Sequence, residues 1–281
     1  MNREVIEVNS YRPTSDGAGV KLNRVFGGRQ VHRFDPFLML DEFRSDEAAD
    51  YIGGFPSHPH RGFETVTYML EGRMLHEDHL GNKGILADGD VQWMTAARGI
   101  IHSEMPQQVE GRMHGFQLWV NLPAAEKMKA PYYRDIPASD IPVRSHQGVD
   151  YKVVAGEVRI GDERVEGVVS GLSIRPLYVD LHFNQQQEAK IDVESGHTVL
   201  LYVYEGQAEI GDKATSVKSG QVALLSTEGA IHVRADAETR LLVLAGKPLG
   251  EPIVQYGPFV MNTEEEIQQA IEDYRNGQLA Y

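Results

Sequence analysis

The chain has 281 residues, with 27 Lys+Arg against 41 Asp+Glu for a formal charge of −14, and no cysteine. The length sets two domains as the starting expectation, and the charge argues against non-specific binding to nucleic acid or an acidic membrane, which need a basic footprint. Without cysteine there is no disulfide framework, no thiol catalysis and no Cys-ligated metal, so any resident ion must be held by His, Asp or Glu.

The N-terminal stretch Met1-Asn-Arg-Glu-Val-Ile-Glu-Val8 is charged and alternating, unlike the apolar core of a secretion signal. The longest apolar run, Val199 to Tyr204, is far too short to span a membrane, so a soluble cytoplasmic protein is expected. Short segments rich in β-branched and aromatic residues follow one another between Gly and Pro: Thr65–Leu70, Val91–Met94 and Phe116–Val120. Pro131, Pro137 and Pro142 then crowd a dozen residues and mark the expected linker. Beyond it come Val199–Tyr204, Val222–Leu225 and Leu241–Leu244. This spacing predicts a mainly β sandwich or barrel. A helix is predicted after Asn262: Thr263 and Glu266 fit a capping box, acids crowd its first turn, and Gly277 fits its stop. Ile267, Ile271 and Tyr274 form its docking stripe.

The two halves read as copies. Gly72, Gly89 and Gly99 recur as Gly206, Gly220 and Gly229, 134, 131 and 130 positions later and in the same order. The tyrosine before the Glu-Gly turn recurs, and so does the histidine that ends Gly-x-x-His, as His102 and His232. A small barrel used twice is therefore predicted.

His58-Pro-His60 places two imidazoles on one face of a strand, about 6.6 Å apart at Cα. His102-Ser-Glu104 offers an imidazole and a carboxylate in the same way. Three neutral nitrogens and one anionic oxygen suit a divalent transition metal rather than calcium or magnesium. An octahedral ion held so keeps two positions for substrate, water or O₂. Glu64 is a rival carboxylate, since it shares strand parity with His58 and His60. In the second copy, alignment on the glycines puts Asp192 and Glu194 at the places of His58 and His60. His232 and Arg234 fall at those of His102 and Glu104. That copy is expected to hold no metal, with Asp192, Glu194 and Arg234 available for an ion pair. The other histidines, His76 among them, are expected at the surface or hydrogen-bonded in the core.

The stretches Phe55-Pro-Ser-His-Pro-His-Arg-Gly-Phe-Glu-Thr-Val-Thr-Tyr68 and Gly89-Asp-Val-Gln-Trp-Met-Thr-Ala-Ala-Arg-Gly-Ile-Ile-His-Ser-Glu-Met-Pro106 resemble the pirin family. So do Pro36-Phe-Leu-Met-Leu-Asp-Glu-Phe43 and Gly257-Pro-Phe-Val-Met-Asn-Thr263 before the last helix. The resemblance spans nearly the whole chain. It implies two tandem cupin domains, mainly β: a metal-binding barrel over 1–135, and a metal-free barrel with the terminal helix over 136–281. It implies one metal on His58, His60, His102 and Glu104, usually Fe²⁺, with Mn, Ni, Cu, Co or Zn as other occupants. It favours Glu104 over Glu64, although His-x-His-x₃-Glu resembles the first cupin motif, in which that Glu is a ligand. Seven residues rather than six separate Glu64 from Gly72, and Thr95 stands where the second cupin motif often has Pro; both agree with the pirin branch.

Two functions follow from the resemblance. One is a quercetin 2,3-dioxygenase-like enzyme that opens a flavonol-like aromatic with O₂ and releases carbon monoxide. Glu104 would be its catalytic proton acceptor, Phe55, Phe63, Met94 and Phe116 its flat pocket, and Gln117 and Asp41 its orienting groups. The other is a redox-sensitive metal-binding regulator of a transcription factor or metabolic enzyme, without direct DNA contact.

Overall fold

The computed structural model describes residues 1–280, and the side chains of all of them but 29 and 30. The fold is mostly β, in two cupin bodies with one C-terminal helix. One body comprises Arg12–Ala138 and the chain from Leu249 onward. The other comprises Met1–Tyr11 and Ser139–Pro248.

In the first body a seven-stranded antiparallel sheet runs in the order Tyr132–Ile136, Val91–Thr95, Phe63–Glu71, Met113–Asn121, Phe37–Ser45, Val20–Phe26, Arg12–Asp16. A four-stranded sheet runs Phe55–His60, Ile100–Pro106, Met74–Asp78, Lys83–Leu86. Most neighbours in space are not neighbours in sequence, as in a jelly roll, apart from the meander Arg12–Asp16, Val20–Phe26, Phe37–Ser45 and the hairpin Met74–Asp78, Lys83–Leu86. The second body repeats the plan. Its large sheet runs Val5–Ser10, Gln221–Leu225, Thr198–Glu205, Thr239–Gly246, Leu177–Phe183, Val149–Ala155, Val143–His146. Its small sheet runs Gln187–Ile191, Ile231–Ala235, Gln207–Ile210, Thr215–Lys218. The repeated Gly punctuation thus marks a repeated topology. Its core is aliphatic, with Val153, Val179, Leu201, Val203, Leu241 and Val243 fully buried.

Two expectations about organisation change. The ends of the chain do not stay with their own halves: Val5–Ser10 pairs with Gln221–Leu225, while the helix Glu264–Arg275 packs on the hairpin Val254–Tyr256/Phe259–Met261 of the first body. Ladder hydrogen bonds and apolar burial, not sequence proximity, decide that membership. The Pro-rich stretch is also not an unstructured linker, because Tyr132–Ile136 pairs with Val91–Thr95 at the sheet edge. Its prolines flank that strand, where no ladder donor is needed.

The helix has its predicted capping box. Thr263 Oγ1 accepts from the Glu266 amide at 3.2 Å, and the Glu266 carboxylate accepts from the Thr263 amide at 3.0 Å. Ile267 and Ala270 are buried and Ile271 partly so. Tyr274 is 43% exposed, with its ring centre 6.4 Å from that of Phe259, so the stripe is carried by Ala270 more than by Tyr274. Among the described residues no helix is long and apolar enough to cross a membrane.

Candidate metal centre

Strand register brings the two predicted pairs together. Phe55–His60 and Ile100–Pro106 are antiparallel neighbours with His58 opposite His102 and His60 opposite Ile100. Ligand atoms of His58, His60 and His102 lie within 4.8 Å of one another. His60 and His102 are buried and His58 is half-buried.

Hydrogen bonds aim these rings. His58 Nδ1–H donates to the Pro56 carbonyl oxygen at 2.8 Å, which leaves its Nε2 with a lone pair. That Nε2 is 3.0 Å from His60 Nε2. Two nitrogens bound at right angles, each about 2.1 Å from one ion, stand about 3.0 Å apart. His102 Nδ1 lies 2.8 Å from His76 Nε2, while His102 Nε2 is buried without a hydrogen-bond partner. A second-sphere partner on one nitrogen and a free lone pair on the other is how a ligating imidazole is oriented. Burial holds His60 and His102 well below the ordinary histidine range, and the neighbouring imidazoles push the same way. Neutral rings are the form that binds a metal. The donor set therefore fits an ion.

Two buried cations fasten the chain that follows His60. Arg61 donates to Asp273 Oδ2 at 2.6 Å, to the Leu279 carbonyl at 3.1 Å, and to the Arg98 carbonyl. Lys127 Nζ donates to Gly62 O and Asn121 Oδ1 at 2.6 Å each, and to Val260 O at 3.0 Å. Burial lowers the Lys127 amine to about 8. Gly62 has φ 92°, and a Cβ there would collide with the Val260 carbonyl. A Cβ at Gly99, which opens the Gly-x-x-His motif, would collide with the Leu279 carbonyl. The C-terminal segment is thus part of the wall that holds the ligand strands.

Glu104 lies beside the three imidazoles but outside their close group. Its carboxylate is turned to the large sheet: Gln117 Nε2 donates to Oε2 at 3.4 Å, and Thr67 Oγ1 lies 3.1 Å from Oε1. Thr67 Oγ1 is also 2.6 Å from Gln117 Oε1, and its single proton serves one acceptor at a time. Glu64 faces the other way. Arg61 and Gly62 break the strand between His60 and Phe63, so the shared parity of His58, His60 and Glu64 does not survive. Glu64 accepts from Thr95 Oγ1 at 2.6 Å and Trp93 Nε1 at 3.1 Å, and burial raises its carboxyl above the usual range. Glu64→Gln is accordingly expected to keep its full metal content by elemental analysis. Trp93 Nε1 can still donate to the amide oxygen and Thr95 Oγ1 can turn to accept from the amide N–H, so the stability cost by chemical denaturation is expected to be about 1 kcal/mol or less. Loss of the metal from that variant would return Glu64 to the ligand set.

His58 and His60 of this group open on a cavity of about 610 Å³, within the size range of small-molecule sites. His58, His60, Glu104, Gln117 and Thr67 line it on one side, with Met39, Phe43, Phe55, Met74 and Trp119 as apolar wall. Trp119 packs edge-on to His60 at 5.3 Å. Of the four predicted apolar liners only Phe55 is there. Phe63 packs against both His60 and Trp119, Met94 joins Ala96 and Ile100, and Phe116 faces Tyr68 on the opposite side of the sheet. Asp41 lines the cavity, but both its oxygens are taken by Arg24, at 2.9 and 2.8 Å.

The family model described as pirin matches residues 19–120, and the model described as the pirin C-terminal cupin domain matches residues 178–280. The chain belongs to the pirin family. Human pirin is 41% identical over 272 residues, 94% of this chain and 90% of its own length. A Pseudomonas aeruginosa pirin relative, provisionally named a quercetin 2,3-dioxygenase, is 56% identical over 280 residues, 99% of this chain and 98% of its own. A crystal structure of quercetin 2,3-dioxygenase from Acinetobacter baumannii superimposes with a TM-score of 0.90 at 35% identity, covering 99% of both chains.

Within this pirin, His76 and Arg24 are the site residues that the motif reading passes over. Met74, His76 and Asp78 share a strand face, so a buried Met74 implies an inward His76. Arg24 alternates with the buried Val20 and Leu22 in the same way. In the second body, the ladder puts Lys190 opposite His232, and Ile191 opposite Ile231. Lys190 and Asp192 therefore occupy the places of His58 and His60, two residues away from the glycine-based alignment. Arg234 pairs with Glu188, which also meets His232 at 3.1 Å, and Glu194 pairs with Arg175. The expected trio of Asp192, Glu194 and Arg234 is not an ion pair.

Proposed function

We propose that this pirin is a metal-dependent dioxygenase of the quercetin 2,3-dioxygenase type, acting on a flavonol-like aromatic and O₂. The observation that carries the reading is a close group of three imidazoles, two of which open with Glu104 on a largely apolar cavity. The names of the Pseudomonas and Acinetobacter relatives support it. We propose His58, His60, His102 and Glu104 as the ligands of a single divalent ion, Fe²⁺ in the first instance, with the second body free of metal.

When bound, such an ion supplies Lewis acidity toward a coordinating hydroxyl and a redox centre for O₂. The protein residues do the rest. His58, His60 and His102 would hold the ion by one ring nitrogen each. Glu104 accepts the proton of the flavonol 3-hydroxyl on a carboxylate oxygen, and Gln117 and Thr67 hold that carboxylate beside the substrate. Trp119 and Phe55 exclude water and offer flat apolar surface to the aromatic rings.

The test is O₂ uptake with a panel of flavonols, on protein of measured metal content, with anaerobic and metal-stripped controls. Metal-dependent loss of flavonol absorbance with release of carbon monoxide is expected. No O₂ consumption with any flavonol by metal-loaded protein would remove the enzyme reading.

A further inference from the structure

We infer that Arg24, held by Asp41, is a specificity-determining residue that selects aromatic substrates bearing a neutral hydroxyl on the ring remote from the metal. The inference rests on the flavonol reading above and deepens it.

Strand register lays a polar row across the large sheet: Thr67 is opposite Gln117, Gln117 opposite Asp41, and Asp41 opposite Arg24. All four line the cavity. Glu104 contacts the Thr67–Gln117 end of the row. At about 4.8 Å per strand, Arg24 stands two steps, or about 10 Å, beyond Gln117 at the backbone, and its side chain leans back onto Asp41. A flat ligand whose reacting hydroxyl lies at Glu104 therefore extends its far ring along this row toward the guanidinium.

The chemistry of that end is specific. Arg24 Nε and Nη2 are spent on the two oxygens of Asp41. Nη1 bonds to no group among the described residues. Asp16 Oδ2 lies 3.5 Å from Nη2 and lines the same cavity. One cation with two carboxylates leaves the region net negative, so a carboxylate or sulfate on the ligand is disfavoured. A phenolic hydroxyl suits it, because it accepts from Nη1 and donates to Asp16. Asp41 is buried, so the guanidinium is held in a fixed, bidentate pose rather than swinging in solvent.

The experiment is anaerobic equilibrium binding, read by quenching of tryptophan fluorescence, which Trp119 in the cavity wall makes sensitive to occupancy. The probes are a flavonol with hydroxyls on its pendant ring and 3-hydroxyflavone, which has none. Wild type is expected to bind the hydroxylated probe about tenfold more tightly, the size of one hydrogen bond from a charged donor. In Arg24→Met that preference is expected to shrink below about twofold, with the affinity for 3-hydroxyflavone nearly unchanged. Arg24→Met strands the buried Asp41, so the double variant R24Q/D41N, which keeps a neutral hydrogen-bonded pair, is measured beside it with the same expectation. An undiminished preference in the folded variants, or equal binding of both probes by wild type, would overturn the role of Arg24 alone. A wild type that binds neither probe would overturn the flavonol reading itself.

Discussion

His102→Ala is expected to leave the protein nearly without metal, while His232→Ala retains the wild-type equivalent. Removing His102 takes away a buried Nε2 that no other protein group uses, and it leaves only His58, His60 and the proposed carboxylate of Glu104. Loss of an outer-sphere partner alone typically weakens metal binding by about 10–100-fold, and loss of a ligand should exceed the upper figure. His76→Ala then provides an internal scale. It removes only the group that orients His102, so its loss should fall in that 10–100-fold interval. His232 is the positional copy of His102, but its ring meets Glu188, and Lys190 and Arg234 flank it. A cation in place of two lost ligands repels an ion. Elemental analysis after dialysis against a weak chelator separates these variants. A full equivalent retained in both His60→Ala and His102→Ala would refute the assignment, and a second ion seen beside His232 by anomalous scattering would refute the metal-free second body.

The imidazole triad was legible because a strand has a period of two: His58 with His60, and His102 with Glu104, share faces wherever their strands lie. Only tertiary pairing sets His58 opposite His102, and that was inferable from the family resemblance, not from spacing. Glu64 shows where the period fails. The turn at Arg61-Gly62 resets parity, and Gly62 is needed there because Val260, almost two hundred residues away, presses on it. The second copy was misaligned for a related reason. The place of His60 is held by Asp192, which lies 14 positions before its Glu-Gly glycine, Gly206, whereas His60 lies 12 before Gly72. Counting back from a shared glycine therefore lands two residues late. The exchange of chain ends was not legible either. Arg61 with Asp273, and Lys127 with Val260, are contacts of high sequence separation between side chains that locally look like ordinary surface charges. Arg24 and His76 were within reach, since each continues the apolar face of its strand. A charged or titratable residue on such a face signals a satisfied polar cluster inside the barrel.

Glu104→Gln is expected to retain part of the metal and to lose turnover per metal by about 10²-fold or more. The substitution is nearly isosteric. A glutamine at this position can keep one oxygen toward the ion and can donate its amide to Thr67 Oγ1, which lies 3.1 Å from the present Oε1. What it cannot do is take a proton. If the carboxylate serves as ligand and as base, the two losses separate: metal content reports the first, and rate divided by metal content reports the second. Raising the pH should recover part of the rate in the variant and little in wild type, because flavonol arriving already ionised no longer needs a base. The direction of that recovery distinguishes a missing proton acceptor from a misplaced substrate, which pH would not repair. Gln117 adds a control within the same network. It donates to Glu104 Oε2 at 3.4 Å, so Gln117→Leu should loosen the carboxylate without removing its basicity. Its rate per metal should fall less than that of Glu104→Gln and should show no rescue at high pH. A Glu104→Gln protein with wild-type turnover per metal at neutral pH would show that the proton goes elsewhere.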